Sequence, residues 1–406
     1  MEVVRLSSTT YRPDLLIEDY SSMVWNERFA TPGQFEMQTE DVAKIRYLLP
    51  IGSYISLRDS DVLMQVENHS LSRAEDAPPV LTVSGRTFET FIENRALLAA
   101  VYNTPWKVLQ PYTPTEMVAM LLWNHMVNTT GEDPTRAAYV IDSRTAVPNV
   151  VVTDSTTLVD SQIEWWLETG NVFKALSEFL ALDSLGVRNF RPNNKFGDVV
   201  TFDTSRTASR GLITKTPSGP ISQVRLDVYH GLDKTRHQTV RPPVILHYSA
   251  GHLDTLDYLL SNQNYSNMAT VVSSIGTVTV WPNTTPPPDT TVSGVQRRTL
   301  LVDGGDMGDL DYATFAASLI QKGRVELRKH LLAAVFEGRI SPQGPYHYKA
   351  DYDLGDVITL IGEDGFEASM VISEYIRTQG AEGELSYPGL SPATWLQDEG
   401  TRRFII

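Results

Sequence analysis

YKADYDLGDVITL, residues 348–360, ends in a heptapeptide whose pattern occurs twice, as LGDVITL at 354–360 and as FGDVVTF at 196–202. In both copies a Gly-Asp pair enters a run of alternating β-branched residues, the pattern of a turn opening onto a strand. Glycine tolerates the backbone angles of such a turn and aspartate bonds nearby backbone amides, so the pair reads as a structural part used twice. A catalytic reading would need a second carboxylate or a base held close; Asp351 and Asp353 are the carboxylates nearest in sequence to Asp356.

Outward from the repeat, period-two patterning dominates. IGSYISL (51–57) and VLMQVENHSL (62–71) read as strands divided by the turn Arg58-Asp59-Ser60-Asp61, and VLTVSG (80–85) as a buried strand. VRNFR (187–191), QVRLDVYHG (223–231), ATVVSSIGTVTV (269–280) and RTLLVDGG (298–305) continue the β reading. In QVRLDVYHG, Val224, Leu226 and Val228 are set against Arg225, Asp227 and Tyr229, as in a strand with one apolar face. YHYKADYDLGDVITL (346–360) and FEASMVISEYIRT (366–378) form a last strand pair closed by Glu363-Asp364-Gly365.

Helical spacing appears in four places. RTFETFIENRALLAA (86–100) repeats Phe88, Phe91, Ile92 and Arg95, and NVFKALSEFLALDSLG (171–186) sets Val172, Leu176, Phe179 and Leu180 on one side. Thr113-Pro114-Thr115-Glu116 supplies a capping threonine, a proline at the first helical position and a reciprocating glutamate ahead of MVAMLLWNHMV (117–127), with Gly131 as the stop. A long helix is expected from Tyr312 to Phe336. WPNTTPPPDTTVSG (281–294) is a loop, because its clustered prolines cannot serve a sheet's hydrogen-bond ladder.

The chain's 406 residues exceed what one hydrophobic core fills, so about two to four domains are expected. The pattern divides it into an all-β opening (1–85), an α/β domain (86–186), a β-rich domain (187–310) with a Pro-rich loop (282–289), a long helix with strands (311–380), and a C-terminal extension (381–406). In that extension Tyr387, Trp395 and Phe404 are interface-prone aromatics expected to clasp a neighbour. The absence of cysteine excludes disulfides, thiolate nucleophiles and cysteine-ligated metals. A net charge of −15 argues against binding nucleic-acid backbones. With no apolar run near the ~20 residues of a membrane span and no basic-then-apolar leader, neither membrane insertion nor secretion is expected.

Candidate chemistry is sparse. His230, His237, His247 and His252 lack the His-Glu-x-x-His spacing that puts two imidazoles on one helix face, and read as ordinary histidines. DGGDMGDLD (303–311) is acidic enough for calcium but lacks the alternation and terminal glutamate of a calcium loop; Asp309 or Asp311 reads as the cap of the following helix. Nucleophile-elbow, phosphate-loop and dinucleotide motifs are missing from the sequence. Trp165, Trp166 and Trp281 could stack on sugar rings, which leaves a host-glycan binding or cleaving protein as the alternative, but read first as packing. No catalytic, cofactor-binding or metal residues are assigned.

YHGLDKT (229–235), PPVILHYSAGHLDTLDYLLSNQNYSNMATVV (242–272), SGVQRRTLLVD (293–303) and YKADYDLGDVITL (348–360) resemble, in this order, the minor tail proteins of long-tailed actinobacterial phages, the Gp37-like group, which are similar to tail hub proteins. IEDYSSMVWNERFATPGQFEM (17–37) and VLTVSGRTFETFIENR (80–95) resemble the family's N-terminal half. One departure is that Ser273-Ser274-Ile275-Gly276 leads into the proline loop where such proteins often carry a Gly-rich segment. The resemblance implies an α+β, multi-domain structure of β-barrel tube-type domains with α/β insertions, and no enzyme activity or cofactor. It makes 1–85 an N-terminal β-barrel-type domain and has 311–380 complete a tube-type barrel. It implies a homotrimeric ring at the distal tip of the virion's tail, made in the host cytoplasm. Its implied partners are the distal tail and tail tube proteins, the tape measure protein and other minor tail proteins, around a channel that DNA passes without specific binding. Acidic residues lining that channel would repel the DNA.

Overall fold

The computed structural model describes residues 1–75, 77–97, 106–107, 112–128, 146–155, 166–167, 170–183, 185–192, 197–202, 213–218, 223–261, 263, 265–281, 294–306, 312–328, 330, 333–341, 344–362, 367–381 and 383–392. Among them no helix is long and apolar enough to cross a membrane.

The N-terminal segment supplies seven strands: β1 (Val3–Leu6), β2 (Pro13–Ile17), β3 (Ser22–Arg28), β4 (Gln34–Thr39), β5 (Tyr54–Leu57), β6 (Leu63–Ser72) and β7 (Val80–Thr87). The three strands expected from 51–57, 62–71 and 80–85 are β5, β6 and β7. All neighbours are antiparallel, in the order β3-β4-β7-β6-β5-β1-β2. Period-two alternation feeds two cores from one sheet. Ile55, Leu57, Met64 and Val66 join Trp25, Phe35 and Met37 beneath Ile45 of a short helix, α1 (Val42–Leu48). Val4, Leu6, Tyr54 and Leu63 point the other way, into the core of the next unit.

That unit begins with a correction. RTFETFIENR does not form an α-helix: Phe88–Asn94 is a 3₁₀ helix, ending before a two-residue strand, β8 (Ala96–Leu97). Thr87 makes no side-chain cap there, and Phe88 and Ile92 are fully buried, so tertiary packing rather than helix propensity sets the geometry. After β9 (Trp106–Lys107) the capping box forms as read: Thr113 Oγ1 accepts from the Glu116 amide at 3.1 Å and Glu116 Oε2 accepts from the Thr113 amide at 2.8 Å, opening α2 (Pro114–Met126). Gly131 lies outside the described residues; the helix ends at Met126.

β10 (Val150–Asp154), β11 (Trp166–Leu167) and β12 (Gly170–Asn171) precede α3 (Val172–Asp183), which buries Val172, Leu176 and Leu180; the Phe179 side chain lies outside what is described. β13 (Leu185–Phe190), β14 (Gly197–Phe202), β15 (Ile213–Ser218) and β16 (Val224–His230) complete a five-stranded sheet, β13-β16-β10-β14-β15, packed on α2 and α3. Its strands come from both sides of residue 186.

The remaining elements are β17 (Ile245–His247), β18 (Leu253–Ser261), β19 (Met268–Ser273), β20 (Gly276–Val280), β21 (Thr299–Gly305), α4 (Tyr312–Arg328), β22 (Ala333–Ile340), β23 (Val357–Ile361), β24 (Glu367–Gly380) and β25 (Gly383–Pro392). β20-β19-β21 is a small separate sheet whose core, with Val271, Val280 and Val302, is closed by Phe315 and Leu319 of α4. The Pro-rich loop beside it lies outside the described residues. The helix expected to run from Tyr312 to Phe336 stops at Arg328, and Ala333–Ile340 is strand. A turn at His330, whose amide donates to the Leu327 carbonyl, releases Val335 and Phe336 to an antiparallel ladder with the whole of β18, a use that suits β-branched and aromatic residues. Of the expected extension, residues 383–392 are β25, paired along β24 with Tyr387 opposite Ile376; Trp395 and Phe404 lie outside the described residues.

β24 unites both ends of the chain. Its first half pairs with β23 and its second half, from Glu374, pairs with β3. A register shift against β25 between Ile372 and Glu374 leaves the Ser373 carbonyl to accept from the Phe29 amide at 2.8 Å, as expected where a bulge re-aims a strand. The result is a sheet of 13 strands whose path runs from β18 to β2 and does not close on itself among the described residues, where the resemblance led us to expect closed barrels.

Gly231 and Gly355 meet in tight backbone packing. A Cβ at Gly231 would lie 1.7 Å from the Gly355 carbonyl oxygen, and Gly355 itself has φ of +87° with Phe29 against it. Gly231→Ala is expected to cost more than ~4 kcal/mol in urea unfolding. Gly251→Ala, at φ +73° but with open space around the added methyl, should cost about 1–2 kcal/mol.

Candidate functional site

Where the chain segment after β16 meets the turn before β23, the core holding Val228 adjoins the one holding Tyr229, Leu354 and Val357. The Leu232 carbonyl accepts from the Val357 amide at 2.9 Å and the Lys234 amide donates to the Val357 carbonyl at 2.8 Å. Asp356, 2% exposed, is bonded across this contact. Its Oδ1 accepts from the Leu232 amide at 2.8 Å, its Oδ2 from the Asp353 amide at 2.8 Å, and Lys234 Nζ lies 2.8 Å from Oδ2. The aspartate of LGDVITL is therefore a turn anchor that also ties a second segment. In FGDVVTF the pair lies inside a strand instead, Gly197 opposite Ser218 and Asp198 opposite Pro217, so the two copies do different structural work.

The face of β16 that the pattern marks as polar is buried as well. Asp227 Oδ1 accepts from Thr153 Oγ1 and Ser155 Oγ, both at 2.7 Å, and its Oδ2 from Arg188 Nε at 3.2 Å. Arg188 also reaches Asp353 Oδ2 at 2.9 Å and lies 4.0 Å above the Tyr229 ring. Lys349 Nζ donates to Asp353 Oδ1 at 2.7 Å. Burial alone would raise the Asp353 carboxyl; the charges of Lys349 and Arg188, with hydrogen bonds from Lys349 and the Leu354 amide, outweigh it and hold it below the usual aspartate range. Burial drives the Tyr229 hydroxyl well above its ordinary value, against the pull of Arg188.

Two buried glutamates extend the junction. Glu27 on β3 accepts from Trp25 Nε1 at 3.1 Å, Ser60 Oγ at 2.9 Å and Tyr348 Oη at 3.0 Å, and the Tyr348 ring stacks on Tyr375 at 3.8 Å. Glu89 accepts from the Thr87 hydroxyl and from Asn189 Nδ2 at 2.6 Å, while Asn189 Oδ1 accepts from the Leu63 amide at 2.8 Å. Burial raises the Glu89 carboxyl, because these donors are neutral and only partly offset the loss of water.

This arrangement holds charge in place. Asp353 and Asp356 do come together, but each already has a basic partner and a backbone amide donor, and Asp351 is spent accepting from the His347 amide at 2.8 Å. The histidines are engaged separately: His237 with Glu367 at 3.0 Å, His247 with Ser249 at 2.9 Å, and His252 accepting from the His247 amide at 3.2 Å; His230 ends β16. Among the described residues no three His, Asp or Glu side chains converge for a metal. Asp303 accepts from the Gly305 amide, whereas Asp309 and Asp311 lie outside the described residues. Trp166 is in a two-residue ladder opposite Lys107, Arg297 lies 5.7 Å over the Trp281 ring, and Trp165 lies outside the described residues. Sequence reasoning missed Arg188, Glu27, Glu89 and Tyr348. A signal existed for Arg188: it and Asp227 carry opposite charge on two segments read as strands, and they stand directly opposite each other in the ladder.

Two outcomes follow for stability. Asp356→Asn leaves Lys234 without a buried counter-charge and should cost about 3–5 kcal/mol in urea unfolding, against under ~1 kcal/mol for the exposed pair partner change Asp14→Asn. For Glu89 the folded pKa lies above the unfolded one, so the native state binds more protons in between and stability falls as pH rises through that window. Glu89→Gln, with the Thr87 hydroxyl turned to accept, should raise the melting temperature at pH 8, and the gain should shrink as the buffer is taken towards pH 5.

The comparisons agree with this architecture. The tail protein from Neisseria meningitidis MC58 is similar in fold over 97% of this chain and 96% of its own, with a TM-score of 0.50 and 11% identity. The 43 kDa tail protein of prophage MuSo2 from Shewanella oneidensis is similar over 97% and 98%, with a TM-score of 0.51 and 11% identity. No curated protein matches the sequence. The family model described as Siphovirus ReqiPepy6 Gp37-like protein matches residues 3–384, and with nearly the whole chain so covered, the protein belongs to this family of siphovirus tail proteins.

Proposed function

We propose that the protein is the tail-tip hub of a long-tailed phage, three copies forming a ring that closes the tail tube and joins it to distal tail components. The observation that carries this is the open sheet. β18 pairs on one side with β22, and β2 on one side with β1, so among the described residues both ends of the path present unpaired backbone groups. Cyclic repetition of one chain disposes of such ends by pairing or covering them, and membership in a tail-protein family supplies the setting. The ring contacts the tail tube, the tape measure protein and other minor tail proteins, and its role is structural rather than catalytic. Carboxylates on its lumen keep the passing DNA from sticking, in keeping with the net charge of −15.

The test is the mass of the purified assembly together with a low-resolution image of it, free and in virions. Three-fold rings at the distal tail tip are expected. A monomer absent from the tip would overturn the hub reading, and a neutral or basic lumen would overturn the role given to the acidic residues.

A further inference from the structure

Arg225, the second residue of β16, is a buried cation that has no counter-ion of its own among the described residues. It is 8% exposed, and its Nε has no hydrogen-bond partner. Its nearest charged neighbours are already committed. Arg188 is bonded to Asp227 and Asp353, Lys349 to Asp353, and Arg191 lies 3.9 Å from Asp61. Among the described residues three carboxylates thus serve the three other cations, and Arg225 is the one left over. Its Cζ lies 4.7 Å from the centroid of the Phe190 ring, while Arg188 lies 5.0 Å from the same ring, so two like charges share one aromatic ring. Burial and the nearby Arg188 both lower the guanidinium's proton affinity, against the pull of Asp227 and Asp61.

A buried guanidinium left unpaired is costly, and a ring face offsets only part of that cost. The slot has an approach from outside: β13, which carries Arg188 and Phe190, is an edge strand of its sheet, and the side chains of Arg191 and Asp61 are partly exposed. We propose that Arg225 seats an oxyanion, and that in the assembled tail this is the carboxylate of an Asp or Glu on a neighbouring protein chain. The planar fork of arginine suits a carboxylate, which can accept two parallel hydrogen bonds. A carboxylate there would also separate Arg225 electrostatically from Arg188. The proposal requires a protein neighbour of some kind and is independent of the ring and of its place on the tail.

The test uses the whole chain, with sodium acetate, sodium phosphate and sodium chloride compared at equal ionic strength by thermal unfolding. If the seat exists, acetate and phosphate raise the melting temperature over chloride in the unmodified protein, and Arg225→Met abolishes the difference. Arg225→Lys, which keeps the charge and loses the fork, should retain less than half of the acetate shift. It also serves if the methionine variant fails to fold. A shift with phosphate but none with acetate would overturn the carboxylate as occupant in favour of a free phosphate. Equal melting temperatures in all three salts would overturn the seat altogether, and Arg225 would then be a cation held by Phe190 alone.

Discussion

Gly231 and Gly355 approach so closely that no side chain fits between their backbones, and Asp356 is bonded across the gap. Close backbone approach leaves amides that water cannot reach, and each must find an acceptor. Asp356 takes the amides of Leu232 and Asp353, and Lys234 neutralises it. From this point the links run outward in order. β16 is fixed relative to β23, β23 pairs with β24, and β24 pairs with β3, so the five-stranded sheet and the N- and C-terminal strands of the large sheet share one frame.

The second face of β16 shows how two sheets meet when the contact is ionic. Arg188, Asp227, Asp353 and Lys349 alternate in sign, and Asp227 has hydroxyl donors on its remaining oxygen. Such a network adds little net stability compared with apolar packing, since each charge loses its water. Its geometric demand is strict: Arg188 satisfies both aspartates in one relative placement of the elements that carry them, which an apolar contact would not specify so narrowly.

Much of this was legible in the residues. The Thr113 capping box, the three strands between 51 and 85, and the apolar face of β16 all appear as read, because each depends on neighbours within a few positions. Misreadings arose where distant partners decide. The end of α4 is set by the ladder between β22 and β18, and the 3₁₀ turn at Phe88 by the core that receives it. The polar pattern of Arg225, Asp227 and Tyr229 suggests solvent, yet those residues are buried. Period-two alternation says that a strand has two faces and is silent on what covers the second. The turn read from the Gly-Asp pair forms at 355–356, where Asp356 depends on Leu232 and Lys234, which no local pattern points to; at 197–198 the pair lies in the strand ladder instead.

The pairing of β3 with β24 has a consequence for synthesis. Between Arg28 and its partner Glu374 lie 346 residues of separation (374 minus 28), so β3 keeps an open edge until nearly the whole chain has been translated. At about 5–20 residues per second that interval is roughly 20 to 70 s. Throughout it the N-terminal strands, apolar on both faces, wait on the ribosome with their last partner still unmade, which makes the nascent chain a natural client for chaperones and its yield sensitive to the speed of elongation.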